Sequence, residues 1–195
     1  DSNDRGNRAI YTWDGNGKGN NVEVNAVKST NTTNSVALVA DEHSTITVNK
    51  QSGGTTPPSI IGTSAGTGFD YGVTISGAIF EYDNKRTVSK LDTASIDSVG
   101  AAYSNNGSTI TIDRNTTPTN PNITITGGID EGSTPKKYVG FGLYANNGGT
   151  ISAKNNNLKL VDTAVGIAST NSTSSDVNLE GSTVDYSGNG YALYS

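Results

Sequence analysis

A chain of 195 residues with 13 Lys and Arg against 18 Asp and Glu carries a net charge of −5. That balance argues against binding to a nucleic-acid backbone, which needs basic surface. With no Cys and no Met, neither disulfides nor thiolate metal sites hold the fold, a usage that suits a chain crossing a periplasm unfolded. Only 32% of the residues are hydrophobic, yet they alternate instead of scattering, which predicts a thin ordered core and not disorder.

Residues 1–8 are polar and read as an edge, and residues 9–13 as a first strand. Residues 14–21, DGNGKGNN, open like a calcium loop, with Asp14, Asn16 and Gly19 at positions one, three and six. Lys18 at position five and Asn25 in place of the closing Glu turn the reading toward a plain Gly/Asn turn, and no metal is expected. Val22 and Val24 then alternate as a second strand.

Residues 35–48, SVALVADEHSTITV, show the recurring unit. Val36 and Leu38 alternate, a turn follows, and Ile46 and Val48 alternate again. Residues 49–71 interrupt it, and the Pro57-Pro58 pair with several Gly residues opposes ladder pairing, so a projecting loop is expected. Residues 72–98 are read as another coil through Val73, Ile75, Ile79, Val88 and Ile96. The charged group Glu81, Asp83, Lys85, Arg86 and Lys90 within it reads as a solvated turn.

The unit returns at 99–112, VGAAYSNNGSTITI, and most cleanly at 140–153, GFGLYANNGGTISA. Asn105-Asn106-Gly107 and Asn146-Asn147-Gly148 tolerate positive φ, so the backbone can turn there without Cβ strain. Between these copies, 113–121 and 127–138 are read as insertions flanking a strand at 123–126, with Pro118, Pro121 and Pro135 in the connections. Leu158 with Leu160, and Val184 with Tyr186, give a third strand. A fainter copy spans 164–179, and GYALYS from Gly190 begins another.

The small residues Ala9, Ala37, Ala101, Gly142, Gly166 and Ala192 mark successive first strands, and the last two spacings are 24 and 26 residues. Three strands of about five residues with three short turns fill that period, which is one coil of a right-handed parallel β-helix. The longer spacing from Ala37 to Ala101 suits two coils with an insertion. The expectation is a single all-β segment over 1–195, of about six to seven coils. An end in mid-strand would leave an unpaired edge, so the segment is read as part of a longer β-helix.

Chemistry is sparse. The one histidine, His43, falls in a turn that carries Asn elsewhere and reads as a turn residue, and no serine-nucleophile motif is present. Asp92, Asp97, Asp113, Asp130, Asp162, Asp176 and Asp185 are spread one per turn and form no paired-carboxylate motif. The expectation is a protein that is not an enzyme and has no cofactor. One feature points to binding. If Phe141 and Leu143 face inward, Tyr144 faces out, and Tyr11, Tyr103 and Tyr194 occupy the same slot of their copies. A tyrosine column spaced by about 4.8 Å per coil could stack on sugars or a partner; alternatively, tyrosines simply suit half-buried strands.

The GLYANNGGTIS and GYALYS units, the Asn/Thr/Ser/Gly richness and the missing Cys resemble the passenger region of type V autotransporters. Within that group the chain resembles the large passengers of anaerobic Gram-negative adhesins, such as fusobacterial surface proteins. The resemblance implies display at the outer-membrane surface and a parent chain with a signal peptide, further β-helix and a C-terminal outer-membrane β-barrel. It also implies a protein or glycan of a host or bacterial surface as partner, and no nucleic acid. It carries over no site residue. A toxin passenger, marked by an apolar pore-forming segment, and a polysaccharide-cleaving enzyme, marked by convergent carboxylates in a groove, are the alternatives.

Overall fold

The computed structural model describes residues 7–13, 16, 18–24, 28–31, 35–48, 59–63, 73–80, 88–96, 100–130, 137–188 and 190–195. Short runs of alternating Ile, Val and Thr form strands that pair in parallel with the run one coil later. The first coil comprises β1 (Asn7–Thr12), β2 (Asn21–Val24) and β3 (Lys28–Asn31), and the second β4 (Ser35–Ala40), β5 (Thr45–Val48) and β6 (Ser59–Thr63). An antiparallel hairpin of β7 (Val73–Phe80) and β8 (Val88–Ile96) follows. The third coil is β9 (Gly100–Ser104), β10 (Thr109–Thr111) and β11 (Ile123–Thr126), followed by a second antiparallel hairpin, β12 (Gly128–Asp130) and β13 (Lys137–Val139). The fourth coil is β14 (Phe141–Asn146), β15 (Thr150–Ser152) and β16 (Asn157–Val161), and the fifth β17 (Val165–Thr170), β18 (Asp176–Asn178) and β19 (Thr183–Ser187). β20 (Tyr191–Tyr194) opens a sixth.

Three parallel sheets result, in the orders β1-β4-β9-β14-β17-β20, β2-β5-β10-β15-β18 and β3-β6-β11-β16-β19. The chain visits them in turn, which makes a right-handed parallel β-helix. Register puts like residues on like. Val22, Ile46, Ile110, Ile151 and Val177 form one column of the second sheet. Ile125, Leu160 and Tyr186 form one of the third, and Leu38, Ala102, Leu143, Ile167 and Leu193 one of the first. Ile46, Ile110, Ile151, Leu143 and Leu160 are buried in a single interior cluster, each worth about 1.5–3 kcal/mol of burial. Between the columns, Thr109 and Thr150 face outward and share a hydroxyl hydrogen bond of 3.0 Å.

Several expectations are corrected. Among the described residues there are five complete coils and the first strand of a sixth, not six to seven. The deficit lies at 72–98, where β7 and β8 pair with each other, antiparallel, and join none of the three sheets. The long spacing from Ala37 to Ala101 is therefore one coil plus a hairpin. The stretch 49–71 contains β6, which pairs with β3 and β11 as the third strand of its coil, although Pro57 and Pro58 lie outside the described residues. Strand 123–126 stands as expected, and of the insertions beside it 113–121 is irregular while 127–138 includes most of the second hairpin.

Phe141 also differs from expectation. It belongs to a separate cluster on the outer face of the first sheet with Val36, Val39, Tyr103, Tyr144 and Val165. The reason is the small marker residue. Ala37 and Leu38 both lie in the interior cluster, as do Ala101 and Ala102, and a β-carbon on Gly142 would meet the interior Leu160 Cδ1 at 2.9 Å. Two consecutive residues thus face inward, and strict alternation back from Leu143 places Phe141 on the wrong side.

Candidate functional site

The tyrosine slot is real in register but not an open platform. Tyr11, Val39, Tyr103, Tyr144, Ala168 and Tyr194 form one column, so valine and alanine interrupt the aromatic series. Tyr103 and Tyr144 are each 3% exposed. Their rings lie 5.5 Å apart, and Phe141 packs against both at 6.4 and 6.2 Å, edge contacts of the kind that add about 0.5–1.5 kcal/mol per pair. Burial pushes both phenols above the usual tyrosine range. Their hydroxyls are used internally: Asn146 Nδ2 donates to Tyr103 Oη, and Tyr144 Oη pairs with Thr170 Oγ1 at 2.9 Å. Tyr11 is exposed and Tyr194 half-buried. Both hairpins leave the solenoid at the corner between the third and first sheets, and β7 lies beside β13.

The corner between the first and second sheets is the most regular polar feature. It is made by pairs of residues with positive φ: Glu42 and His43 at 52° and 60°, Asn106 and Gly107 at 49° and 69°, Asn147 and Gly148 at 47° and 79°. Asn and Gly adopt this conformation cheaply, whereas Glu and His do so against a cost of about 1–2 kcal/mol each. Asp41 offsets that cost, since its Oδ1 accepts from Glu42 N, Asn105 Nδ2 and Asn106 Nδ2 at 2.9–3.0 Å. Amides continue the ladder across coils. Asn106 Nδ2 donates to Glu42 Oε1 at 3.2 Å, and Asn147 Nδ2 donates to Asn106 Oδ1. One step inward, buried Asn146 donates to Asn105 Oδ1 and accepts from Thr170 Oγ1 and Asn171 Nδ2.

Along this corner runs an open groove of about 460 Å³, lined by Glu42, His43, Asn106, Gly107, Asn147, Gly148, Ser172 and Ser174. It spans the second to fifth coils. His43, read from sequence as a turn residue, does sit in the turn, and its ring passes over Gly107, where an added β-carbon would stand 2.6 Å from Nδ1. No sequence motif announced the groove, because its residues come from four separated copies. The Asn-Gly recurrence was the available signal, and it marks the turn without revealing what the turns build when stacked.

Other polar clusters are structural. Asp113 Oδ1 accepts from Ser152 Oγ and Lys154 N, and Lys154 pairs with Glu180 at 2.9 Å, a hydrogen bond that raises its pKa. Buried Asn156 donates to Ile112 O and Lys154 O and accepts from Asn122 Nδ2. A second cavity of about 390 Å³, beside β20, is lined by Ile167, Val177, Leu193 and Tyr194 among others. Among the described residues no group of three or more His, Asp or Glu could hold a metal ion, and Asp14 and Asn25 of the calcium-like run lie outside them. No helix among the described residues is long and apolar enough to cross a membrane. Comparison of the chain with protein-family models, with curated proteins and with solved structures returns no match.

Proposed function

We propose that this chain is a segment of a surface-displayed autotransporter passenger that acts as an adhesin, binding a protein or glycan on host or bacterial surfaces. The observation that carries the reading is the corner groove. Side chains from successive coils stand in register on a scaffold whose strand ladders and coil-to-coil corner bonds, such as His43 N to Asn106 O and Gly107 N to Asn147 O, satisfy the backbone internally, so the polar groups along the groove are held at fixed spacing with little loss of entropy on binding. The repeat style resembles autotransporter passengers, which supplies the surface location, the Gram-negative setting and the outer-membrane β-barrel of the parent chain. The carboxylates of the groove number one, from Glu42, which favours binding over glycoside cleavage by a carboxylate pair.

The test is binding of the full chain to arrays of host extracellular proteins, to glycans and to whole epithelial and bacterial cells. Saturable binding to any of these supports an adhesin. A folded chain that binds none of them overturns the reading and leaves a spacer role.

A further inference from the structure

We propose that the groove along the first corner binds a neutral, hydroxyl-rich oligosaccharide, an assignment that rests on the adhesin reading and gives it a site and a ligand class. The lining consists of two amides, two hydroxyls, one imidazole and one carboxylate, from Asn106, Asn147, Ser172, Ser174, His43 and Glu42. The hydroxyls, the imidazole and the Asn147 amide both donate and accept, and the Glu42 carboxylate and Asn106 Oδ1 accept, whereas Asn106 Nδ2 is already engaged by Asp41 Oδ1 and Glu42 Oε1; the mixture suits the vicinal hydroxyls of a sugar. The hollow, about 460 Å³, is open to solvent along its length, unlike the enclosed, mostly apolar clefts of small-ligand sites, so a ligand lies along it and not inside it.

The chemistry also rejects other partners. No Lys or Arg lines the groove, and Glu42 places a carboxylate in it, so phosphates and acidic sugars meet like charge. A protein partner would want an aromatic or aliphatic anchor pocket or a free strand edge. The lining has no such side chain, and the strands flanking this corner in coils two to four are paired on both sides.

Glycine lets the lining side chains pack close. At Gly107 and Gly148 the chain has φ of 69° and 79°, and the missing β-carbons make room for the His43 ring and for Ser174 Oγ, which added β-carbons would meet at 2.6 and 3.3 Å. Because the coils repeat every 4.8 Å or so, the polar groups form a ladder along the solenoid axis that a linear sugar chain can follow. Without an aromatic platform each contact is weak, with a Kd near 1 mM as the expected order. Useful adhesion then comes from many copies on one surface.

The experiment uses the full chain on a glycan array, with saturation-transfer NMR for affinities. The probes are neutral oligosaccharides of galactose and N-acetylglucosamine and their sialylated counterparts. Two variants accompany it: His43→Gly with Asn147→Gly, which removes ring and amide at positions whose positive φ suits glycine, and Ser174→Trp, which fills the groove at an exposed residue. The expected result is binding of neutral probes, weaker binding of sialylated ones, and a loss of about tenfold or more in both variants with unchanged circular dichroism. Sialylated probes bound better, both variants binding like the unaltered chain, or no neutral probe bound at all, each overturns the site. Cell binding measured on the same samples separates the two claims. Cell binding that survives in both variants sinks the groove alone, whereas an unaltered chain that binds glycan but no cell sinks the adhesin reading alone.

Discussion

Phe141 lies with its ring across Gly100 of the preceding coil, its register partner, so closely that a β-carbon on Gly100 would overlap Cζ. The ring covers the one position in that column without a side chain, between Val36 and Phe141 itself. Gly100→Ala is therefore expected to destabilise by about 1–3 kcal/mol through overpacking. Phe141→Leu in the same chain should recover part of the loss, a coupling that a double-mutant cycle of urea midpoints reads directly. Additive effects would mean that the two residues do not share this space.

Gly142 should be the less tolerant glycine. Its added β-carbon would stand 2.5 Å from the backbone oxygen of Gly166 and 2.9 Å from both methyl carbons of Leu160. A ring can rotate away, but a strand backbone cannot move without breaking its ladder. Gly142→Ala should lower the melting temperature more than Gly100→Ala does, and the opposite order in a thermal melt would contradict the inward placement of this residue.

Adjacent asparagines should behave differently. Asn146 is buried, with both amide atoms engaged, so Asn146→Ala leaves buried partners unsatisfied at a cost of about 1–3 kcal/mol. Asn147 is exposed, and Asn147→Gly should stay within about 0.5 kcal/mol. Equal losses in denaturant titrations would show that the buried ladder contributes no more than the surface one.

Glu42 and His43 occupy the corner that the third and fourth coils build from Asn and Gly. His43→Gly removes the strain of a β-carbon at φ 60° and should stabilise by up to about 1 kcal/mol. A destabilised variant would show that packing of the imidazole over Gly107 outweighs the strain.

The buried phenols predict an alkaline limit. Tyr103 and Tyr144 have folded pKa values raised by burial, so the folded chain keeps protons that the unfolded chain releases near pH 10. Their contribution is complete below that pH, and stability falls as pH rises through and above it. Of the nine tyrosines, two should ionise only together with the loss of strand circular dichroism. If all nine titrate before the dichroism changes, the two are not buried.

The columns were legible because Ile46, Ile110 and Ile151 each open an alternating run of the same kind, and the corners because Asn-Gly recurs in register. Pairing direction was not legible. Val73, Ile75 and Ile79 alternate as a coil strand does, and nothing in alternation says whether the partner runs parallel or antiparallel. β6 was hidden by its short apolar pair, Ile60 and Ile61, between prolines and Gly62. Phe141 was misplaced because the two consecutive inward residues at Gly142 and Leu143 break the period of two. The groove escaped because lining that runs from Glu42 to Ser174 becomes a neighbourhood only when the coils stack.

The groove's role in adhesion is tested most directly by the attachment of beads coated with the full chain to epithelial and bacterial cells, measured with increasing soluble neutral oligosaccharide. The expected result is attachment that the neutral sugar inhibits, that a sialylated sugar inhibits less, and that beads carrying His43→Gly with Asn147→Gly largely lose. Beads that attach to no cell, or that attach equally with and without the sugar and the substitutions, would contradict it.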